Sequence, residues 1–215
     1  MALTHTSDTR TGDLTRMGLD ILERLFVVGL FARLAMTVLS SVARGASPVN
    51  LLLLVSEGLL VVLVMVRRPA TEISLQPLDW LLAFAATAGP LLARPGHATA
   101  LVAPGFAAGL MVTGIVFQLV CKLTLRRSFG VAPANRGLIV AGPYKLVRHP
   151  IYASYLISQL GFLLLNPTGW NAGVLGASLI VQIFRVAAEE TLLAHDAAHE
   201  AYRKAVPYRL VPGVY

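Results

Sequence analysis

The pattern with the clearest chemical potential surrounds Pro150. A proline fits the first position of a helix, where its missing N–H would have no partner in any case, so His149 is the predicted helix cap. An exposed helix start flanked by Arg148 and His149 is suited to a carboxylate or a phosphate. The same segment, with Tyr144 and Tyr152 as interfacial aromatics, would also suit a membrane anchor, and its local physics favours neither interpretation.

A second cluster is the adjacent carboxylate pair Glu189 and Glu190, which closes the last long apolar run. Acidic residues gain nothing from the charge bias found at membrane surfaces, so the pair is either a binding site or a solvated helix face. The Asn-Pro-Thr-Gly-Trp sequence at 166–170 predicts a hairpin turn between two apolar runs. That hairpin should bring the carboxylates to the same membrane face as Arg148 and His149.

Two histidines four residues apart, His195 and His199, have the spacing of a zinc site on one helix face. No third ligand is evident in the sequence, so we interpret them as part of a solvated surface helix and expect no metal. Glu200 and Lys204 are spaced for an ordinary ion pair on the same helix.

The elements that must position these groups are apolar. Of the 215 residues, 56% are hydrophobic and 13% are charged, which favours a membrane protein over a water-soluble domain. A spanning helix needs roughly 20 apolar residues, and no segment has the alternation of a barrel strand. We therefore predict an all-α, polytopic bundle of five or six transmembrane helices, built from apolar runs at 25–43, 49–66, 78–93, 98–121, 151–165 and 170–186.

The formal charge of +7 is explained by topology rather than by a nucleic-acid site. With six spans, fifteen of the 18 Lys and Arg residues lie on one side, and only Arg44 and Arg94 fall in the opposite loops. This asymmetry predicts cytoplasmic termini and an active site on the cytoplasmic face, in a bacterial inner (plasma) membrane. Membrane lipids, and not nucleic acid, are the expected surroundings.

Two features of the N-terminal runs have structural interpretations. Arg33 and Glu57 fall at similar membrane depth, so we predict an ion pair, with a catalytic role for Glu57 as the alternative. Gly105 and Gly109 form a small-xxx-small pair that allows a close helix approach, within the monomer or, less favoured, between two copies.

The C-terminal pattern resembles a known family. It reads Gly142-Pro143-Tyr144, then Arg148-His149-Pro150-Ile151-Tyr152, then a helical hairpin, Glu189-Glu190, and a tail with Tyr202, Val206-Pro207 and Leu210-Val211-Pro212. Over roughly residues 123–215 it is similar to the isoprenylcysteine carboxyl methyltransferase family, which is related to the phospholipid N-methyltransferases. A departure from the family is that Ala153 and Ser154 follow Tyr152, where relatives commonly have a glycine.

The resemblance implies that S-adenosylmethionine is held at the cytosolic membrane face. By position, its binding residues would be Tyr144, Arg148, His149, Pro150, Tyr152, Glu189 and Glu190. The implied organisation is a polar tail at 1–24, scaffold helices at 25–122, and a methyltransferase region at 123–215 that includes the last hairpin and a C-terminal helix.

The expected acceptor is a lipophilic small molecule or a lipidated substrate, with protein S-isoprenylcysteine carboxyl O-methylation as the first expectation. A carboxylate acceptor needs no base, and Arg148 or Arg185 would hold it through paired hydrogen bonds as the catalytic residues. An amine acceptor, as in phospholipid N-methylation, would need a base, for which Glu57 and His149 are the candidates. A small-thiol S-methyltransferase is a further alternative.

The rival enzyme class is an NADPH-dependent sterol-type membrane reductase. Such reductases end in a similar Arg-His-Pro-x-Tyr segment and in a tail resembling residues 206–210. They usually have more spans and an Asn before the motif tyrosine, where this chain has Ile151. A non-enzymatic membrane scaffold is the third possibility, and cofactor binding separates all three.

Overall fold

The computed structural model describes residues 5–44, 51–94 and 99–214, and 73% of the chain is helical. The predicted all-α class is confirmed. The helices are α1 His5–Ala43, α2 Leu51–Val66, α3 Pro77–Ala88, α4 Pro104–Leu125, α5 Pro150–Leu165, α6 Gly169–Leu193 and α7 Ala197–Ala205. Among the described residues, the strands are limited to β1, Glu72–Ile73, and β2, Ala134–Asn135, which pair in antiparallel fashion.

Helix starts follow the local sequence. Pro77, Pro104 and Pro150 each stand at the beginning of a helix, where proline costs no hydrogen bond. Thr168 caps α6 by accepting a hydrogen bond from the Asn171 backbone N–H. The turn at 166–168 therefore joins α5 to α6 as the predicted hairpin.

Helix α1 extends further toward the N-terminus than the apolar run in the sequence indicates. Residues 5–24, interpreted as a polar tail, are helical and continuous with the first apolar run. Asp20 is half-buried and Glu23 is fully buried, because both carboxylates pair with Arg67 at the end of α2. The last part of this segment, at Asp20 and Glu23, thus contacts the bundle.

Much of the outer surface is apolar. Leu25 and Met36 on α1, Leu81 on α3, Phe106 on α4 and Phe184 on α6 are all more than half exposed. Two helices within the described ranges, Pro104–Ser128 and Gly169–Leu193, are long and apolar enough to cross a membrane, and three shorter apolar helices accompany them. The count of five or six crossings stays a prediction.

The closest helix packing is between α4 and α5, and it depends on glycines other than the predicted pair. A Cβ on Gly114 would lie 2.5 Å from the Ser158 backbone nitrogen, and one on Gly161 would lie 2.7 Å from the Ala107 carbonyl oxygen. At Gly105 and Gly109, a Cβ would meet no atom of the described residues within 4 Å. The expectation that this pair packs within the monomer is therefore wrong.

We expect Gly114→Ala to destabilise the fold. Overpacking costs about 1–3 kcal/mol, which exceeds the roughly 0.5–1 kcal/mol that alanine gains in a helix interior. The neighbouring atoms are the backbone N and Cα of Ser158 and its Cβ, which is fixed to the backbone, so they cannot move aside as the end of a flexible side chain would. Thermal unfolding in detergent should show a lower Tm than for Gly109→Ala, the matched control; equal Tm values would contradict this packing.

The predicted pair of Arg33 and Glu57 is also wrong. Arg33 is exposed on α1, and the described residues contain no ion pair between the two. The Lys122 Nζ lies 3.1 Å from the Glu57 carboxylate instead, and also binds the Ser56 carbonyl at 2.8 Å. Gln118 donates a further hydrogen bond to Glu57 at 2.9 Å. The prediction considered only the first two apolar runs, whereas the partners come from α4.

Candidate active site

The candidate site is a cleft at the end of the bundle where α5 begins and α6 ends. It encloses about 1150 Å³ of empty space, part of it open to solvent. Its walls are the loop between α4 and α5, the first turns of α5, the last turns of α6, and α7. Apolar side chains such as Phe129, Ile139 and Leu193 line it together with the polar groups described below.

The loop between α4 and α5 is fixed from the α2 side. The Arg68 N–H donates to the Arg127 carbonyl at 2.7 Å, and the Arg127 Nε donates to the Val66 carbonyl at 2.8 Å. The pairing of β1 with β2 continues this contact. One wall of the cleft is therefore held by the segment that follows α2.

His149 is the cap residue of α5 and Pro150 its first residue, which confirms the predicted helix start. The backbone N–H groups of Arg148 and His149 donate to the carbonyls of Tyr208 and Arg209 at 2.9 and 2.8 Å. The C-terminal segment thus pairs with the motif through the main chain.

Glu190 is the point where the two sequence clusters meet. Its Oε1 accepts a hydrogen bond from the Arg148 Nε at 2.7 Å and lies 3.1 Å from the His149 Nε2. Its Oε2 accepts a hydrogen bond from the Arg209 Nε at 2.8 Å. The predicted proximity of the clusters is confirmed by these distances, and both carboxylate oxygens are already bound by this chain.

Arg148 is also committed to protein contacts. Besides its bond to Glu190, its Nη1 donates to the carbonyls of Val206 and Pro207 at 2.8 and 2.7 Å. The side chain is 9% exposed. Two of its three nitrogens are therefore occupied, which favours a structural role over the expected paired contact with an acceptor.

Glu189 faces the cleft with fewer partners. The Tyr152 hydroxyl donates to its Oε2 at 3.1 Å. The Arg185 guanidinium lies 5.4 Å from the centre of the Tyr152 ring and donates to the Val131 carbonyl at 2.5 Å. Glu190, rather than Glu189, is thus the carboxylate whose oxygens are both bound by other side chains of the protein.

Two tyrosines close the cleft on the α7 side. The Tyr202 hydroxyl donates to the Tyr144 carbonyl at 2.6 Å. The Tyr144 hydroxyl is buried in the cleft and has no hydrogen-bond partner among the described residues. Burial raises the pKa of Tyr144 well above its usual value and that of Tyr202 to about 12. Both remain protonated donors at neutral pH.

A buried charge network that no sequence pattern indicated lies behind the cleft wall. Glu23 pairs with Arg67, accepts a hydrogen bond from the Val131 N–H at 2.7 Å, and lies 3.7 Å from the Arg136 Nη2. Arg136 itself lines the cleft. Its position beside Gly137 in a loop was a possible signal, but Glu23 lay in a segment assigned to the tail, so nothing in the sequence connected the two.

The two histidines do not share a helix face. Helix α6 ends at Leu193, the chain turns, and Asp196 caps α7 through the Ala198 N–H at 2.8 Å. His195 is exposed, whereas His199 lines the cleft with its Nδ1 3.3 Å from Asp196. The assignment of both to one solvated helix is wrong for this reason.

The other expectations for this region give two findings. Glu200 and Lys204 form the expected pair at 3.5 Å. Across the described ranges, there is no group of three or more His, Cys, Asp or Glu side chains that could hold a metal ion.

A family comparison agrees with the C-terminal motif. Residues 107–195 match the family model described as "Isoprenylcysteine carboxyl methyltransferase (ICMT) family". The match begins in α4 and includes the α5 start and both carboxylates, so it starts before and ends before the region quoted for the resemblance. A search of curated proteins gave no match. Over residues 107–195, this chain is therefore similar to the isoprenylcysteine carboxyl methyltransferase family.

Proposed function

We propose that this protein is an integral membrane methyltransferase that uses S-adenosylmethionine to methylate a lipophilic acceptor, most like a protein S-isoprenylcysteine carboxyl O-methyltransferase. The family supports the methyltransferase class. The cofactor assignment is based on the position of Glu189, a carboxylate in the cleft wall whose described contact is the Tyr152 hydroxyl.

The groups that line the cleft support the binding of this cofactor. Glu189 offers a carboxylate for its ammonium or sulfonium, and the apolar wall with Phe129 and Leu193 suits its adenosine. The orphaned Tyr144 hydroxyl offers a hydrogen-bond donor. When bound, S-adenosylmethionine supplies an electrophilic methyl group. His149 and Arg148 would shape the site indirectly, through Glu190.

The residues of the chain would contribute orientation and exclusion of water more than acid or base chemistry. A carboxylate acceptor has no proton to lose. The base candidates for an amine acceptor are otherwise engaged: Glu57 binds Lys122 and Gln118, and His149 lies against Glu190. These contacts favour O-methylation over phospholipid N-methylation, and S-methylation of a small thiol remains the other candidate.

The proposed location follows the same reasoning. The basic residues around the α5 start support a location of the cleft on the cytoplasmic face of a bacterial inner membrane. The exposed apolar helix surfaces would contact membrane lipids, so a prenylated acceptor would approach the cleft from the bilayer. We propose that residues 123–215 form the methyltransferase region. Contacts from α1 and from the end of α2 support the wall of its cleft.

We expect the purified protein to bind S-adenosylmethionine and not NADPH, because the proposed carboxylate contact suits a cation and opposes the phosphates of NADPH. Calorimetric titration in nanodiscs measures both ligands. His195→Ala is the control and should leave affinity near wild type, since its side chain is exposed.

Binding of NADPH without S-adenosylmethionine would replace this proposal with the reductase. A parallel methyl-transfer assay should then compare an S-prenylcysteine, phosphatidylethanolamine and a small thiol. Methylation of phosphatidylethanolamine alone would contradict the O-methyltransferase assignment.

A further inference from the structure

Arg136 is a buried cation in the cleft wall with unused hydrogen-bonding capacity. The residue is 6% exposed and lines the cleft. Its Nε has no hydrogen-bond partner among the described residues. Buried donors in folded proteins are almost always hydrogen-bonded, so an unpartnered one is consistent with a site for a ligand.

The charge of Arg136 is only partly balanced within the chain. Glu23 is its described ion-pair partner, but the 3.7 Å separation is too long for a hydrogen bond. The same carboxylate also binds Arg67 and the Val131 N–H at closer range. Burial lowers the pKa of Arg136 to about 10, an effect that Glu23 opposes, so the group is still charged at neutral pH. An additional anion in the cleft would complete the balance.

The backbone makes room for this guanidinium. A Cβ on Gly130 would lie 2.8 Å from the Arg136 Cζ, so the Arg136 position requires a glycine there. The guanidinium thus lies against Gly130 and 3.7 Å from the Glu23 carboxylate, in a loop that is itself hydrogen-bonded to the end of α2 and the residues after it. The site is preformed rather than a surface side chain free to move.

We propose that Arg136 binds a carboxylate of a ligand in the cleft. The planar guanidinium matches a carboxylate through paired hydrogen bonds. This inference rests on the proposed function, under which the carboxylate has two possible sources. One is the amino-acid end of S-adenosylmethionine, whose ammonium would face Glu189, and the other is the acceptor. Glu189 and Arg136 line the same cleft, as binding of a zwitterion requires.

The test compares ligands that differ by one carboxylate. S-adenosylmethionine and its decarboxylated analogue are titrated into wild type and Arg136→Met in nanodiscs, and N-acetyl-S-farnesylcysteine and its methyl ester form a second pair. If the cofactor supplies the carboxylate, Arg136→Met should bind S-adenosylmethionine roughly 10- to 100-fold more weakly and bind the decarboxylated analogue unchanged. If the acceptor supplies it, the same loss should appear for farnesylcysteine and not for its ester.

Two variants separate binding from folding. Gly130→Ala keeps the guanidinium but displaces it, since the atoms in its way belong to the flexible end of a side chain, and it should lower affinity for the same ligand as Arg136→Met. Arg126→Met makes the same chemical change at an exposed residue outside the cleft wall and should leave affinity unchanged. Equal loss for both members of a ligand pair, or no loss for either carboxylate ligand, would overturn the assignment.

Failure of the proposed function gives a different pattern. Wild type that binds neither S-adenosylmethionine nor its analogue would contradict the methyltransferase proposal alone. The farnesylcysteine pair would then still test Arg136, because that measurement needs no cofactor.

Discussion

Glu190→Ala is expected to weaken S-adenosylmethionine binding by up to about two to three decades and to loosen the C-terminal segment. The change leaves Arg148 in a mostly buried position without its carboxylate, and removing one partner of a buried pair costs about 3–5 kcal/mol. Arg148 also holds the carbonyls of Val206 and Pro207, so the effect should spread to residues 206–209. Calorimetric titration measures the affinity for S-adenosylmethionine. Amide hydrogen exchange measures how far residues 206–209 have loosened.

Arg209→Met is the matched control for this change. Arg209 binds the same carboxylate, but its side chain is 37% exposed, and exposed pairs contribute only about 0.2–1 kcal/mol. Its effect should therefore stay below roughly fivefold. A Glu190→Ala protein with wild-type affinity and wild-type exchange at 206–209 would show that Glu190 does not organise the site.

Glu189→Gln should weaken S-adenosylmethionine binding by about 10- to 150-fold, the equivalent of a lost charge-assisted contact of about 1.5–3 kcal/mol. The amide oxygen can still accept the Tyr152 hydroxyl hydrogen bond, so thermal stability should stay near wild type. This separates Glu189 from Glu190, whose loss should affect both affinity and structure.

Glu72→Gln serves as the comparison, because Glu72 is an exposed carboxylate on β1 outside the cleft. Glu72→Gln should bind S-adenosylmethionine with the same affinity as wild type. If Glu189→Gln binds S-adenosylmethionine as tightly as Glu72→Gln does, Glu189 is not the residue that binds the cofactor. The main observation in support of the proposed function would then be lost.

The helical class and the meeting of the two motif clusters were predictable from the sequence, because both depend on local signals. Proline at helix starts, the turn at 166–170 and the length of the apolar runs each act over a few residues. The hairpin then places Arg148 and Glu190 together without any knowledge of the other helices. These are the parts of the fold in which local propensity and tertiary packing agree.

The errors concern contacts between helices distant in the chain. Arg33 and Glu57 were paired because both lie in the first hairpin, yet Lys122 on α4 is the partner of Glu57. The close helix approach uses Gly114 rather than the GxxxG pair, because the orientation of a helix face is decided by its neighbours. Equally, the sequence did not show that Glu190 would be bound by Arg148, His149 and Arg209 while Glu189 remained open to the cleft.

The Val131 backbone joins the family region to the rest of the molecule. Its N–H is bound by Glu23, which lies outside residues 107–195, and its C=O by Arg185, which lies inside. Excision of the family region, or its transplantation onto another set of N-terminal helices, would leave this N–H without its acceptor and Arg136 without its counter-ion. The family region therefore does not form its cleft wall alone: a working chimera must exchange α1 and the end of α2 together with it.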